Sequence, residues 1–244
     1  MRVVRHYVEA ALAEDAVVAL PEDAVAHLVR VLRLGVGDPV TLFNGDGFDY
    51  SAKISSLSKK AAEVRVLGRC VVDNESCLHL TLAQGIARGE KMDLILQKAT
   101  ELGVARIAPV ITERTEVRLD GDRAAKRMQH WRGVVTAACE QSGRARVPVV
   151  LEPQTLASFA VSEAPGLRFI LDPVADTGIA DAGIGVDQPV TLLIGPEGGL
   201  SERDRLVLRA AGYQGLRLGP RILRTETAGL AALAAINAIY GDWR

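Results

Sequence analysis

Two short segments near the C-terminus hold the residue types that could do chemistry. The first is LLIGPEGGLSERD, residues 192–204. An apolar run ends there at Ile194, a Gly/Pro turn follows, and Ser201 begins a helix. Asp204, three residues on, completes a capping arrangement with Ser201. Gly195, Gly198 and Gly199 have no side chains, so the backbone can approach a ligand closely. The spacing is neither G-x-G-x-x-G nor a G-x-x-x-x-G-K-[ST] phosphate loop. The loop has an acid, Glu197, and no Lys. That disfavours a pyrophosphate and suits a ligand with hydroxyls or positive charge.

The second segment is LRLGPRILRTETA, residues 216–228. A strand ends at Leu218, Gly219-Pro220 turn the chain, and a helix starts near Thr225, with Thr225 or Thr227 able to cap it. Arg221 and Arg224 stand just before a helix N-terminus, where positive charge is unfavourable. A bound anion or carboxylate would offset that cost; a solvated surface turn is the plainer explanation.

The elements that must position these loops read as an α/β domain. LHLTLAQGI is a strand, Lys91–Leu102 a helix with Ile95, Leu96, Ala99 and Leu102 on one face, and Gly103 its stop. VARIAPVI is a strand, and Arg123–Gln141 a long helix with Met128, Trp131, Val135 and Ala138 inward. RVPVVL, LRFIL and PVTLLIG are short apolar strands. Ser201–Ala211 is a helix, GLRL a strand, and Thr225–Tyr240 a final Ala-rich helix. Apolar strands alternating with helices argue a mostly parallel sheet covered on both faces. In open sheets of this kind ligands bind beyond the carboxyl ends of the strands, where both loops fall.

Residues 1–72 read differently, as a small β-rich unit. Glu22–Leu34 puts Val25, Leu28, Val29 and Leu32 on one helical face, with Pro21 at its start and Gly35 at its end. DPVTLFNGDGFDYSAKI alternates around Asn44–Gly47, a hairpin signal, and AAEVRVLG is a further strand. Short strands with tight turns suggest a small barrel. The polar, acidic VDNES, residues 72–76, is the best linker, so the second domain is read as 73–244.

Composition sets outer limits. Of the 244 residues, 48% are hydrophobic and 24% charged, which supports a folded core rather than disorder. A net charge of -1 announces no nucleic-acid partner in bulk, so any RNA contact must come from local patches. Residues 88–146 have 12 Lys/Arg against 8 Asp/Glu, whereas 147–244 have 8 against 11. Cys70, Cys77 and Cys139 form no C-x-x-C pair, and the four histidines are scattered. We therefore expect no metal and no disulfide, only reduced thiols, buried or half-buried. No signal peptide and no membrane-length apolar run is visible, which makes the cytoplasm the expected location.

Together the two loops resemble those of the SPOUT class of RNA methyltransferases. More narrowly, they resemble the bacterial family that methylates N3 of a uridine in 16S ribosomal RNA, the RsmE-type enzymes. HLVRVLRLGVGDPVTLFNGDG, EKMDLILQKATELGVARIAPVITERTEV and HWRGVVTAACEQSGRARVPVV extend the likeness along nearly the whole chain, in the family's order. One departure is Thr115, where the family is expected to have Ser; both supply a hydroxyl. The resemblance implies a PUA-like β-barrel that binds RNA over residues 1–72. It implies a SPOUT domain with a deep trefoil knot over 73–244, a fold that pattern reasoning would not choose. It also implies S-adenosylmethionine (SAM) as the cofactor, 16S rRNA or the small ribosomal subunit as the partner, and a homodimer.

On this resemblance the cofactor residues are Leu171, Asp172, Ile194, Gly195, Pro196, Glu197, Gly198, Gly199, Leu218, Gly219, Ile222, Leu223, Thr225, Thr227 and Ala228. SAM has a sulfonium and no phosphate, which agrees with a glycine turn lacking Lys. Leu218, Ile222 and Leu223 could supply an apolar wall for its adenine. Uridine N3 must lose a proton before it can attack a methyl group, and a fixed cation would stabilise the charge that develops. Arg224 is the candidate cation. Glu226 either clamps an arginine or accepts the proton. Arg5, His27, Arg30, Arg33, Arg114 and Arg144 are the candidate RNA contacts, which would bind phosphate and set register. Two rival functions are a SPOUT enzyme acting on another base or a ribose 2′-hydroxyl, and a non-catalytic RNA-binding assembly factor. A nucleotide-dependent oxidoreductase is disfavoured by the missing G-x-G-x-x-G.

Overall fold

The computed structural model describes residues 4–26, 33–58, 60–117, 121–162 and 166–243. The chain divides into two compact units, Met1–Glu75 with Cys139–Val147, and Ser76–Ala138 with Pro148–Arg244.

The first unit contains β1 (Val4–Tyr7), β2 (Val17–Ala19), α1 (Glu22–Ala26), β3 (Pro39–Phe43), β4 (Phe48–Leu57) and β5 (Ala62–Val71). These strands make one sheet in the order β1-β3-β4-β5-β2. Only β1 and β3 pair in parallel. The Asn44–Gly47 turn forms the hairpin that its sequence predicts. Asp46 N–H donates to Asn44 Oδ1 at 3.2 Å, and Phe48 N–H donates to Asp46 Oδ1 at 2.9 Å. Gly45 and Gly47 take φ values of 92° and 97°, which side chains disfavour. Along β4 and β5 every second residue is buried: Tyr50, Ala52 and Ile54 face Ala62, Val64 and Val66 in an apolar cluster with residues from all five strands. That period of two is how a sheet seals one face against its core.

The helix expected over Glu22–Leu34 is described only to Ala26. Val25 is buried, as its place on the apolar face requires. Leu28, Val29 and Leu32 lie outside the described residues. The expected end at Leu34 is corrected, because Arg33 has φ of 55°, in the left-handed region.

The second unit contains β6 (Leu80–Gly85), α2 (Glu90–Glu101), β7 (Arg106–Ile111), α3 (Gly121–Ser142), β8 (Val149–Val150), β9 (Gln154–Thr155), α4 (Leu156–Ser162), β10 (Leu167–Leu171), β11 (Val190–Ile194), α5 (Glu202–Ala210), β12 (Gln214–Leu216) and α6 (Thr225–Tyr240). The last four residues of α3 belong to the first unit. The sheet runs β12-β10-β11-β6-β7-β8, with β9 also on β7, and every described pair is parallel. All residues of β6 and β11 are buried, as central strands covered on both faces require. On one face Leu82 and Ile194 lie under Gly229 of α6. On the other, Ala83 and Leu193 share a cluster with Phe159 of α4 and Leu208 of α5. Met128, Trp131, Val135 and Ala138 of α3 are buried, as their spacing predicts.

Four local readings change. β12 ends at Leu216 rather than Leu218, because Arg217 bridges to Gly178 instead. α6 has Arg224 as its N-cap residue with no side-chain cap, so neither Thr225 nor Thr227 caps it. β9 and α4 are additional elements, with no counterpart among the strands and helices read from the sequence. Cys70 and Cys77 are exposed; only Cys139 is buried, and burial pushes its thiol up to about 12. Among the described residues no helix is long and apolar enough to cross a membrane.

Gly85 ends β6 where the first loop crosses it. A Cβ there would stand 2.5 Å from the Pro196 nitrogen, against backbone that cannot yield cheaply. Gly85→Ala should cost about 1–3 kcal/mol, as overpacked sites do. Gly133→Ala in α3, where a Cβ meets nothing within 4 Å, should be neutral or stabilising. Denaturant midpoints of the two variants check this contrast.

Candidate active site

The site grows from the carboxyl ends of three parallel strands. After β11 the chain turns at Gly195-Pro196, and Gly199 N–H closes the turn on Pro196 O at 2.8 Å. Ser201 then caps α5. Its Oγ accepts from Asp204 N–H at 3.0 Å, and Asp204 Oδ2 accepts from Ser201 N–H at 3.0 Å. This is the reciprocal capping box that the sequence predicts. After β12, residues 217–224 lead back to α6.

Thr225 joins the two loops. Its buried hydroxyl donates to Gly195 O at 2.6 Å and accepts from Gln84 Nε2 at 2.9 Å. Gln84, on the fully buried strand β6, also donates to Gly85 O at 2.9 Å. Three segments distant in sequence are thus held by one hydroxyl. Arg224 holds the N-cap position, so Thr225 is already the first helical residue and its hydroxyl serves these contacts.

Between the loops lies a cleft of about 530 Å³, within the usual range for small-molecule sites. Leu171, Asp172, Ile194, Gly195, Pro196, Glu197, Gly199, Leu218, Gly219, Ile222, Leu223, Thr225 and Ala228 line it, together with Arg224 and Glu226. Gly198 and Thr227 stand outside the lining. Gly198 O instead accepts from Arg114 Nη1 at 2.9 Å, and Thr227 N–H donates to Arg224 O at 2.9 Å. Ile222 is 88% exposed, so Leu171, Leu216, Leu218 and Leu223 are the better apolar wall. Sequence reading missed Lys91 and Arg205. Each sits on a helix face where its spacing marks it only as solvated.

These two cations set the electrostatics. Arg205 Nη1 pairs with Asp172 Oδ2 at 2.8 Å, and Val174 N–H donates to Asp172 Oδ1 at 3.1 Å. Lys91 Nζ lies 3.4 Å from Glu197 Oε1 and 3.7 Å from Glu226 Oε2. The first loop has no Lys of its own, but α2 delivers one. Burial opposes ionisation of Glu197, yet the Arg88 N–H at 3.1 Å, its own N–H and Lys91 outweigh it and hold the carboxyl below its ordinary range. Among the described residues no group of three or more His, Cys, Asp or Glu could hold a metal.

The candidate RNA contacts fare unevenly. Arg5 is spent inside the first unit. It pairs with both oxygens of Asp49, at 2.6 and 3.1 Å, donates to Cys139 O at 2.8 Å, and stacks on Phe43. Arg144 is buried against both carboxylate oxygens of Glu75. Both are held by partners inside the first unit, so an RNA phosphate at either would compete with these bonds. Arg33 is exposed, as is Arg114, which is tied to the first loop through Gly198. His27 and Arg30 lie outside the described residues. The Thr115 hydroxyl accepts from Thr112 N–H at 2.9 Å, a local turn bond that Ser could make equally.

A PUA-type unit followed by an α/β RNA methyltransferase domain is the class of protein this fold and cleft define. The family model for an RNA methyltransferase domain matches residues 74–237, and that for an RNA methyltransferase PUA domain matches residues 20–67. The ribosomal RNA small subunit methyltransferase E of Buchnera aphidicola is 30% identical over 99% of this chain and 98% of its own. That of Bacillus subtilis is 31% identical over 88% of this chain and 87% of its own. The crystal structure of the Neisseria gonorrhoeae ribosomal RNA small subunit methyltransferase E, bound to S-adenosyl methionine, is 39% identical, with a TM-score of 0.92 over 100% of both chains. This chain belongs to the ribosomal RNA small subunit methyltransferase E family.

Thr225→Val keeps the volume and removes the shared hydroxyl. It leaves a buried carbonyl and a buried amide short of partners, which should cost about 1–3 kcal/mol of stability. Thr225→Ser should lose less. Urea unfolding of both variants checks the assignment.

Proposed function

We propose that this chain transfers a methyl group from SAM to N3 of a uridine in the 16S RNA of the small ribosomal subunit. The observation that carries the reading is the cleft itself, lined by leucines and by glycine backbone. A Cβ at Gly199 or Gly219 would meet no protein atom within 4 Å, and both residues line the cleft, so their backbone stays open to a ligand. The residues present fit SAM. Leu171, Leu216, Leu218 and Leu223 suit an adenine face, the loop backbone offers donors and acceptors to its edge, and the carboxylates of Asp172 and Glu197 suit its cationic groups. SAM, when bound, supplies an electrophilic methyl group on sulfur.

The chain's own part is alignment and charge. Fixing the acceptor base against the methyl donor removes most of the entropic barrier. Arg224, exposed at the cleft edge, stabilises negative charge as it develops on O2 and O4 of the uracil ring. Residues 1–72 act as the RNA-binding module and 73–244 as the SPOUT methyltransferase domain. A trefoil knot is part of this reading. It is supported by the path of the chain, which leaves the edge strand β12 and returns to begin α6 against the ends of β11 and β6, two and three strands inward. The protein works as a homodimer in the cytoplasm.

Tritium transfer from labelled SAM to unmethylated small-subunit particles, followed by nucleoside analysis, tests the reading. The expected product is N3-methyluridine. Label on a ribose or another base would overturn the target, and no SAM binding by calorimetry would favour an assembly factor. Arg224→Ala should lower kcat by roughly 100-fold, in the range for loss of one charge-stabilising group, with SAM affinity nearly unchanged.

A further inference from the structure

The proposed reaction needs a group that takes the uridine N3 proton. Three carboxylates line the cleft: Asp172, Glu197 and Glu226. Two of them are already engaged. Asp172 accepts from Arg205 at 2.8 Å and from the Val174 N–H at 3.1 Å. Glu197 accepts from the Arg88 N–H at 3.1 Å and faces Lys91 at 3.4 Å. These contacts occupy both carboxylates, and those at Glu197 hold its carboxyl below the ordinary range, which makes it a poorer base.

Glu226 differs. Its Oε2 is buried and has no hydrogen-bond donor among the described residues. Lys91 Nζ, at 3.7 Å, balances its charge without donating to it. A buried carboxylate oxygen left without a donor is costly, and cleft positions are where a ligand supplies what the fold withholds. The place is also rigid, because Thr225 beside it is pinned to Gly195 and Gln84. The charged groups around it are Lys91 from α2, Glu197 from the first loop, and Arg221 and Arg224 from the second, with the Asp172–Arg205 pair across the same cleft.

We propose that Glu226 is the proton acceptor, its carboxylate, 17% exposed in the cleft lining, receiving the N3–H of the target uridine. This rests on the uridine-N3 reading above. In the step, the Glu226 carboxylate takes the N3 proton. The N3 electron pair forms the new N–C bond to the methyl carbon, the C–S bond breaks, and its pair passes to sulfur as a neutral thioether. The carboxylic acid then returns its proton to solvent.

The test uses the full-length protein, unmethylated small-subunit particles and labelled SAM, under single-turnover conditions across a pH series, with SAM affinity measured separately by calorimetry. Glu226→Gln should keep SAM affinity within about twofold. Its transfer rate should fall by roughly 100-fold or more, the usual worth of a general base, and should climb with pH as the uridine loses its own proton. Glu226→Ala should behave alike and regain rate when acetate is added. A Glu226→Gln variant with the wild-type rate and pH profile would overturn the proposal. So would a loss confined to SAM affinity and cured by saturating SAM. Nucleoside analysis of the wild-type product separates the two readings. Label on N3 with an undiminished Glu226→Gln sinks the proton role alone. Label elsewhere sinks the uridine-N3 reading and this role with it.

Discussion

The Thr225 hydroxyl can donate one hydrogen bond and accept two, and the fold uses the donor and one of the acceptor sites. It donates to Gly195 O, at the end of β11, and accepts from Gln84, at the end of β6. This sets where α6 begins, and so where Glu226 and Arg224 stand relative to the first loop. The arrangement works only if the backbones come close. Gly85 lets Pro196 lie against β6, and Gly229 lets α6 lie on Ile194 and Leu82. Small residues and one hydroxyl, rather than a large apolar contact, decide the shape of the cleft.

Charge in the cleft follows from that shape. Each acid has a different environment, although all three are carboxylates within one small volume. Asp172 is neutralised by Arg205, and Glu197 is held by a backbone donor and Lys91, while Glu226 shares Lys91 at longer range and has no donor of its own. Similar side chains are given different electrostatic surroundings by their neighbours, the general means by which one site separates the behaviour of like groups. The arginines of the first unit make the same point in reverse. Arg5 and Arg144 look like RNA contacts by residue type, but paired carboxylates and carbonyls make them internal struts.

Periodicity made the elements legible. Alternation in β4 and β5, the i, i+3, i+4 spacing of α2 and the N-G-D-G turn each have a local physical cause, so they can be read without the fold. The Ser201–Asp204 box could be read for the same reason, since its partners are three residues apart. The reading failed where a local group found a distant partner. Thr225 is a sound helix cap by type, yet Gly195, thirty residues away, takes its hydroxyl. Arg33 falls within an apparent helical pattern, but φ of 55° places it beyond the helix.

The sequence by itself therefore determined an α/β unit after a β-rich one, the two glycine-turn loops that prove to line the cleft, and the absence of phosphate-loop spacing. These depend on neighbours along the chain. Only the tertiary structure decided which charges meet in the cleft. Lys91 and Arg205 lie on helix faces that look solvated in one dimension, and they reach Glu197, Glu226 and Asp172 only because parallel strands bring their helices to one end of the sheet. Coulomb attraction depends on separation in space, and separation along the chain does not report it.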